Sequence, residues 1–171
     1  MNYFSIIKDS DIFDSPALEP KEYTSRPTAK GIVLDEKGRI AFISNGEHSL
    51  FPGGGVEEDE TYEEAFVREC MEEIGCSVDI SATLGKALQY RARNITKYEV
   101  EFFVSHVIGS KGSPTTQEKG ELACVLSWLT EEEVVDILEK QISEIREDDY
   151  PAHFNCRTHL AAFKKYRETK R

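Results

Sequence analysis

Three glutamates, Glu69, Glu72 and Glu73, stand at positions i, i+3 and i+4 of the chain. On a helix, this spacing places three carboxylates on neighbouring positions of one face. Left alone, such like charges repel each other and weaken the helix. Divalent cations that prefer oxygen ligands are the natural partner for a cluster of this kind. Because glutamates on a helix more often form a solvated face, the surrounding pattern has to decide between the two interpretations.

The residues around the glutamates are of types that could orient them. Arg68 precedes Glu72 by four residues and can pair with it, while Glu60 lies in the segment before the helix and could hold Arg68 from the other side. Contacts of this kind fix the orientation of ligands. The run 53–55 consists of three glycines, so no side chain there blocks close approach of the backbone to a metal or phosphate.

A helix with clear start and stop signals should carry this cluster. Thr61 and Glu64 form an S/T-x-x-E capping box that predicts a helix start, and Gly75 predicts its end after Ile74. A second capping box begins at Thr130, with an apolar stripe after it. A final helix is predicted over about 158–167.

The remaining periodic segments predict strands. The runs 29–34 and 39–44 flank a turn and predict a hairpin, and the segments 84–91, 97–108 and 122–129 are strand-like. Between the last two, residues 109–120 predict a long loop. Residues 1–25 show no sustained period and predict an irregular arm before a single domain at 26–171. Strands mixed with a few helices favour a mixed sheet with helices on both faces.

The whole segment FPGGGVEEDETYEEAFVRECMEEIGCSV resembles the Nudix box, G-x5-E-x7-R-E-U-x-E-E-x-G-U, in which U is a bulky aliphatic residue. The charged and glycine positions of that pattern all match, at Gly54, Glu60, Arg68, Glu69, Glu72, Glu73 and Gly75. The two U positions are Cys70 and Cys76, which are small and apolar. A pattern this long in a strand–loop–helix context is far more specific than a glycine motif. The likeness spans roughly residues 28–140.

The resemblance implies a fold, an activity and roles for individual residues. The fold would be the α/β Nudix sandwich, α/β/α, with a mixed β-sheet between helices. The activity would be metal-dependent hydrolysis of a diphosphate linkage in a small molecule, such as a nucleoside diphosphate linked to another moiety. Glu69, Glu72 and Glu73 would bind Mg²⁺ or Mn²⁺ with help from a backbone carbonyl of the glycine loop at Gly54, while Arg68 and Glu60 would orient these ligands.

The general base and the substrate contacts stay open at this level. The base is either Glu69 or a glutamate of the loop before the Trp-containing strand, Glu118 or Glu121. We favour Glu69 because a helix position is rigid. Four basic residues are candidates for contacting substrate phosphates: Arg26, Lys30, Arg91 and Arg93. A Nudix-fold module that senses a nucleotide without turning it over is the alternative function.

Composition limits the classes of function and the cellular locations that the chain can have. The chain has 171 residues and a formal net charge of −11, so it carries no broad electrostatic footprint for a nucleic-acid polymer. No signal peptide or membrane-spanning run is recognisable, which predicts a cytoplasmic protein without a membrane partner. The expected partner is a small-molecule diphosphate substrate. The sequence leaves open a homodimer.

Overall fold

A mixed β-sheet forms the centre of the protein in the computed structural model, which describes residues 3–116 and 123–170. Its strands are β1 (Tyr3–Lys8), β2 (Thr24–Leu34), β3 (Ile40–Ser44), β4 (Ser49–Leu50), β5 (Gly53–Gly55), β6 (Ser77–Arg91), β7 (Thr96–Ile108) and β8 (Val125–Leu129). The main order is β1-β6-β7-β2-β3-β4, with β5 paired to β2 and β8 paired to β3. β1 is parallel to β6 and β2 is parallel to β7, whereas the other pairs are antiparallel.

Helix α1 (Tyr62–Ile74) covers one face of the sheet. Its apolar side chains, among them Phe66 and Cys70, pack on Ala29 and Val33 of β2. Thr61 accepts from the backbone N–H of Glu64, as the capping box predicts. Gly75 closes the helix with φ +64°, a conformation in which glycine avoids the strain of a side chain.

Helices α2 (Glu131–Glu144) and α3 (Tyr150–Thr169) cover the opposite face. Val134 and Leu138 of α2 and Phe163 of α3 pack with Ile32 of β2 in the larger core cluster. The protein is therefore an α/β/α sandwich around a mixed sheet, as predicted. The hairpin β2–β3 is also present where the sequence predicted it, and the described part of the predicted 109–120 loop, residues 109–116, holds no helix or strand.

Several parts of the fold differ from the prediction, among them β6, which begins at Ser77 rather than residue 84, and β2, which begins at Thr24 rather than residue 29. The segment expected to be an irregular arm contains β1, which extends the sheet through parallel pairing with β6. Such pairing depends on a partner far along the chain, so no local pattern revealed it. Helix α3 begins at Tyr150, eight residues earlier than expected, because Asp149 caps it and Pro151 lies in its first turn.

Among the helices in the described part of the chain, none combines the length and apolar character needed to cross a membrane.

Candidate active site

Arg68 of α1 is the centre of the candidate site. Its Nε and Nη2 donate to the two carboxylate oxygens of Glu60, at 2.7 and 3.0 Å. Its Nη1 donates to Glu69 Oε1 at 2.9 Å and to Glu72 Oε2 at 3.2 Å, and Nη2 also reaches the carbonyl oxygen of Gly55 at 3.0 Å. The guanidinium thus holds three carboxylates and the glycine loop in one arrangement. It also lowers the pKa of Glu60 below its usual value, so Glu60 stays ionised.

The glycine strand β5 lies directly against the helix. The backbone N–H of Gly53 donates to Glu73 Oε2 at 2.6 Å, and the Lys30 ammonium donates to the carbonyl oxygen of Gly53. Gly53 has φ +127°, and a Cβ at this position would lie 2.1 Å from the carbonyl oxygen of Ala29. Only glycine therefore fits where β5 meets β2.

Gly54 lies even closer to the reactive groups. A Cβ on Gly54 would lie 2.3 Å from Glu69 Oε1 and 2.8 Å from Oε2. The Glu69 carboxylate therefore lies against the backbone of Gly54, whose carbonyl oxygen is one of the predicted metal ligands. A donor set of carboxylates and one carbonyl is the type that Mg²⁺ and Mn²⁺ prefer.

The environment of Glu69 suits a ligand or a base. The residue is only 7% exposed. Burial raises its pKa, while Arg68 and Lys30 act in the opposite direction. Glu72 is more accessible, with 39% of its side chain exposed.

The three glutamates do not converge on one point in this arrangement. Arg68 Nη1 lies between Glu69 and Glu72, and Glu73 is turned toward Gly53. Coordination of one ion by all three would require at least one side chain to rotate. Within residues 3–116 and 123–170, one group of Asp, Glu, His or Cys side chains brings three ligand atoms within 4.8 Å of one another: Glu47, His48 and Asp149. Sequence spacing did not predict that group, in which His48 Nε2 lies 2.9 Å from Asp149 Oδ2.

A cleft of about 830 Å³ opens beside α1. Arg68, Glu69 and Glu72 line one side, and the exposed Arg26 of β2 lines it as well. Its volume lies within the range of about 300–1,000 Å³ that small-molecule sites occupy. The cleft therefore brings predicted metal ligands and a predicted phosphate contact together.

The other three predicted phosphate contacts lie in different surroundings. Lys30 and Arg91 line a second cavity of about 230 Å³, and Arg26 and Gly55 line both this cavity and the cleft. Arg93 is not among the lining residues of either cavity. Its guanidinium lies over the rings of Phe13 and Tyr150, at 4.5 and 4.7 Å.

The loop after β7 is attached to the end of α1. The backbone N–H groups of Thr115 and Thr116 donate to the carbonyl oxygen of Glu72 at 2.9 and 3.1 Å, and Gly112 donates to Gly75. Thr115 and Thr116 also line the cleft. The loop candidates for the general base, Glu118 and Glu121, lie outside the described residues.

Sequence reasoning missed part of the second cavity. Its wall includes Gln89 of β6 and Asn155, Thr158 and His159 of α3. The only local signal was the spacing of these three α3 residues, which places them on one face of a helix that is otherwise largely apolar on its buried side. The sequence predicts that this helix starts at about residue 158, so Asn155 falls outside the predicted helix.

Comparisons with known proteins agree with this geometry. The NUDIX domain family model matches residues 24–151. The MutT-like protein of Streptomyces ambofaciens is 30% identical over 122 residues, which cover 68% of this chain and 73% of that protein. An RNA pyrophosphohydrolase of Tolumonas auensis is 39% identical over 71 residues, a match that spans 39% of this chain and 41% of that protein.

A solved structure shares the fold. The structure described as NUDIX hydrolase from Nitrosomonas europaea has a TM-score of 0.64 and 18% identity, covering 86% of this chain and 92% of that one. With the family model matching residues 24–151, and with Arg68, Glu69 and Glu72 lining one cleft, this chain belongs to the Nudix family.

Proposed function

We propose that this Nudix protein is a Mg²⁺- or Mn²⁺-dependent hydrolase that cleaves the diphosphate linkage of a small molecule. The substrate class that we propose is a nucleoside diphosphate linked to another moiety. The observation that carries the proposal is that Arg68, Glu69 and Glu72 line one side of the cleft, while Gly54 lies against the Glu69 carboxylate. The like-charged Glu69 and Glu72 at this side of the cleft have a use when a cation and a phosphorylated substrate bind there.

The donor chemistry of the box residues, carboxylates with a backbone carbonyl, suits the metal that the family implies, and at least one side chain would rotate for all three glutamates to reach one ion. Glu69, Glu72, Glu73 and the Gly54 carbonyl would hold it, and Arg68 and Glu60 would keep the carboxylates in position. When bound, divalent metal polarises the phosphoryl group and lowers the pKa of a bound water. Arg68 Nη1 uses one oxygen of Glu69 and one of Glu72, so both residues keep a second oxygen that Arg68 does not contact.

The chain's own residues supply positioning and proton transfer. Arg26 lines the same cleft as Glu69 and Glu72 and can form charge-assisted hydrogen bonds with substrate phosphate oxygens. Glu69 is our proposed proton acceptor, because it lies on a rigid helix and its buried carboxylate has a raised pKa. Its carboxylate would take the proton of the water that attacks phosphorus in line with the leaving oxygen.

A screen of diphosphate compounds tests the proposal. Nucleoside triphosphates, dinucleoside polyphosphates, ADP-ribose and NAD would each be incubated with the full chain and Mg²⁺ or Mn²⁺. We expect at least one to release phosphate-bearing products, and Glu69→Gln to lower that rate by roughly 10²- to 10⁴-fold. Tight binding of a nucleotide by the wild type without any turnover would favour the sensing alternative.

A further inference from the structure

A small cavity beside the cleft is lined by hydrogen-bond donors. This donor pocket has a volume of about 230 Å³ and includes Arg26, Lys30, Gln89, Arg91, Asn155 and Thr158. It lies between the sheet and α3, and it adjoins the cleft because Arg26 and Gly55 line both. Its volume is below the roughly 300 Å³ at which pockets for drug-sized ligands begin, so it suits one chemical group of a larger molecule.

The hydrogen bonds inside the donor pocket occupy the amide oxygens of Gln89 and Asn155. Arg91 donates to Gln89 Oε1 through Nε at 3.0 Å and to Asn155 Oδ1 through Nη2 at 2.6 Å. Gln89 Nε2 donates to Thr158 Oγ1 at 2.8 Å. Since a guanidinium only donates, both amide oxygens must face Arg91. The Asn155 amide nitrogen and the Thr158 hydroxyl hydrogen are then both donors that can bond a ligand.

The charge of the donor pocket also favours an anionic ligand. Arg91 is only 4% exposed, and its side chain lies 4.1 Å from the centre of the Tyr98 ring. Burial lowers its pKa to about 10, so Arg91 stays charged at neutral pH. Within the described ranges 3–116 and 123–170, no aspartate or glutamate lines the pocket or forms an ion pair with Arg91, Arg26 or Lys30. A buried cation without an anionic partner is costly, and an anionic ligand removes that cost.

We infer that the donor pocket binds a second phosphoryl group of the substrate, separate from the diphosphate that is cleaved. This inference rests on the proposed function and names the substrate class more closely. Preferred substrates carry an additional phosphate that reaches past Gly55 while the diphosphate lies against Glu69 and Glu72. A neutral group with acceptor atoms would satisfy the donors but leave the charge of Arg91 unpaired.

Binding of inorganic phosphate in the presence of a chelator tests the pocket without any turnover. Asn155→Asp is the main variant, because it keeps the size of the side chain, replaces the donor nitrogen by an acceptor and neutralises Arg91. We expect calorimetry to show phosphate binding by the wild type and at least a tenfold weaker affinity in Asn155→Asp. Lys164→Gln on the exposed face of α3 also changes the net charge by −1 and serves as the matched control.

A second variant covers the case in which Asn155→Asp fails to fold. Arg26 is exposed, so Arg26→Gln should retain the fold and still weaken phosphate binding several-fold. Phosphate affinity equal to that of the wild type in the folded variants would overturn the inference, as would a wild type that binds no phosphate. These results do not depend on hydrolysis, so they are separable from a failure of the proposed function.

Substrate pairs distinguish a substrate phosphate from free phosphate in solution. The pairs differ by one phosphate: NADP and NAD, coenzyme A and its dephosphorylated form, and a nucleoside tetraphosphate and triphosphate. We expect the wild type to prefer the more phosphorylated member of at least one pair by tenfold or more in kcat/KM, and Asn155→Asp to lose that preference. Equal rates for both members of every pair would overturn the inference, even if inorganic phosphate binds.

Discussion

Replacing Gly54 with alanine would place a methyl group against the Glu69 carboxylate. The added Cβ would lie 2.3 Å from Oε1, 2.6 Å from Cδ and 2.8 Å from Oε2 of Glu69. Because ordinary contacts to carbon begin near 3.5 Å, the carboxylate must retreat by roughly 1 Å. A displacement of this size in a reacting group costs about 10²-fold in rate, or about 2.7 kcal/mol.

The expected result for Gly54→Ala is loss of activity with little loss of stability. Gly54 does not have a positive φ, so alanine fits its backbone conformation. We expect turnover to fall about 10²-fold, metal affinity to weaken, and the free energy of unfolding to change by less than about 1 kcal/mol. Steady-state kinetics, metal titration and urea denaturation measure the three quantities.

Gly55→Ala is the matched control for the metal affinity. A Cβ on Gly55 meets no atom within 4 Å, so the substitution adds the same methyl group without displacing Glu69. Its metal affinity should stay within about twofold of the wild type, since no ligand moves. The reasoning is refuted if Gly54→Ala keeps wild-type turnover, or if both variants weaken metal binding equally.

Three further predictions follow from the geometry. Arg68→Ala should lower metal affinity and turnover together, because Glu60, Glu69 and Glu72 lose their common partner; wild-type metal titration in this variant would contradict its positioning role. Burial holds the pKa of His159 well below its usual value, so its neutral form gives full stability above about pH 6.5. As the pH falls below 6.5, His159 is protonated in the unfolded chain while it is still neutral in the folded protein. Urea denaturation should therefore show that the free energy of unfolding of the wild type falls, relative to that of His159→Gln, by up to about 1.4 kcal/mol per pH unit. Among the variants Glu69→Gln, Glu118→Gln and Glu121→Gln, the one that lacks the base should show a large loss of turnover that added metal does not rescue. If that variant is one of the loop glutamates, Glu69 is a ligand only.

Local sequence signals were sufficient to predict the helix that carries the Nudix box. Its capping box and terminal glycine are read from adjacent residues, and the structure confirms both ends. The pairing of Arg68 with Glu72 follows from helical spacing alone, and the pairing with Glu60 is also present. These contacts join residues that are close along the chain, which is why the pattern predicts them.

Contacts between distant segments could not be read in the same way. Arg91 and Asn155 meet only because β6 and α3 pack on each other, and nothing within either segment indicates that partner. Strand β1 depends likewise on β6, more than seventy residues further along the chain. The sequence also did not reveal that Arg93 lies against Phe13. Phe13 belongs to the N-terminal segment that was expected to be irregular.

The most direct test of metal-dependent hydrolysis at the side of the cleft lined by Glu69 and Glu72 measures whether an oxygen atom from water enters a phosphate product. A diphosphate substrate identified by the screen would be turned over in ¹⁸O-labelled water with Mg²⁺, and the products would be examined by phosphorus NMR and mass spectrometry. We expect one labelled oxygen in one phosphate product per cleavage, and no turnover when a chelator is in excess. Hydrolysis that continues unchanged in the chelator, or products that carry no label on phosphorus, would contradict the proposed chemistry.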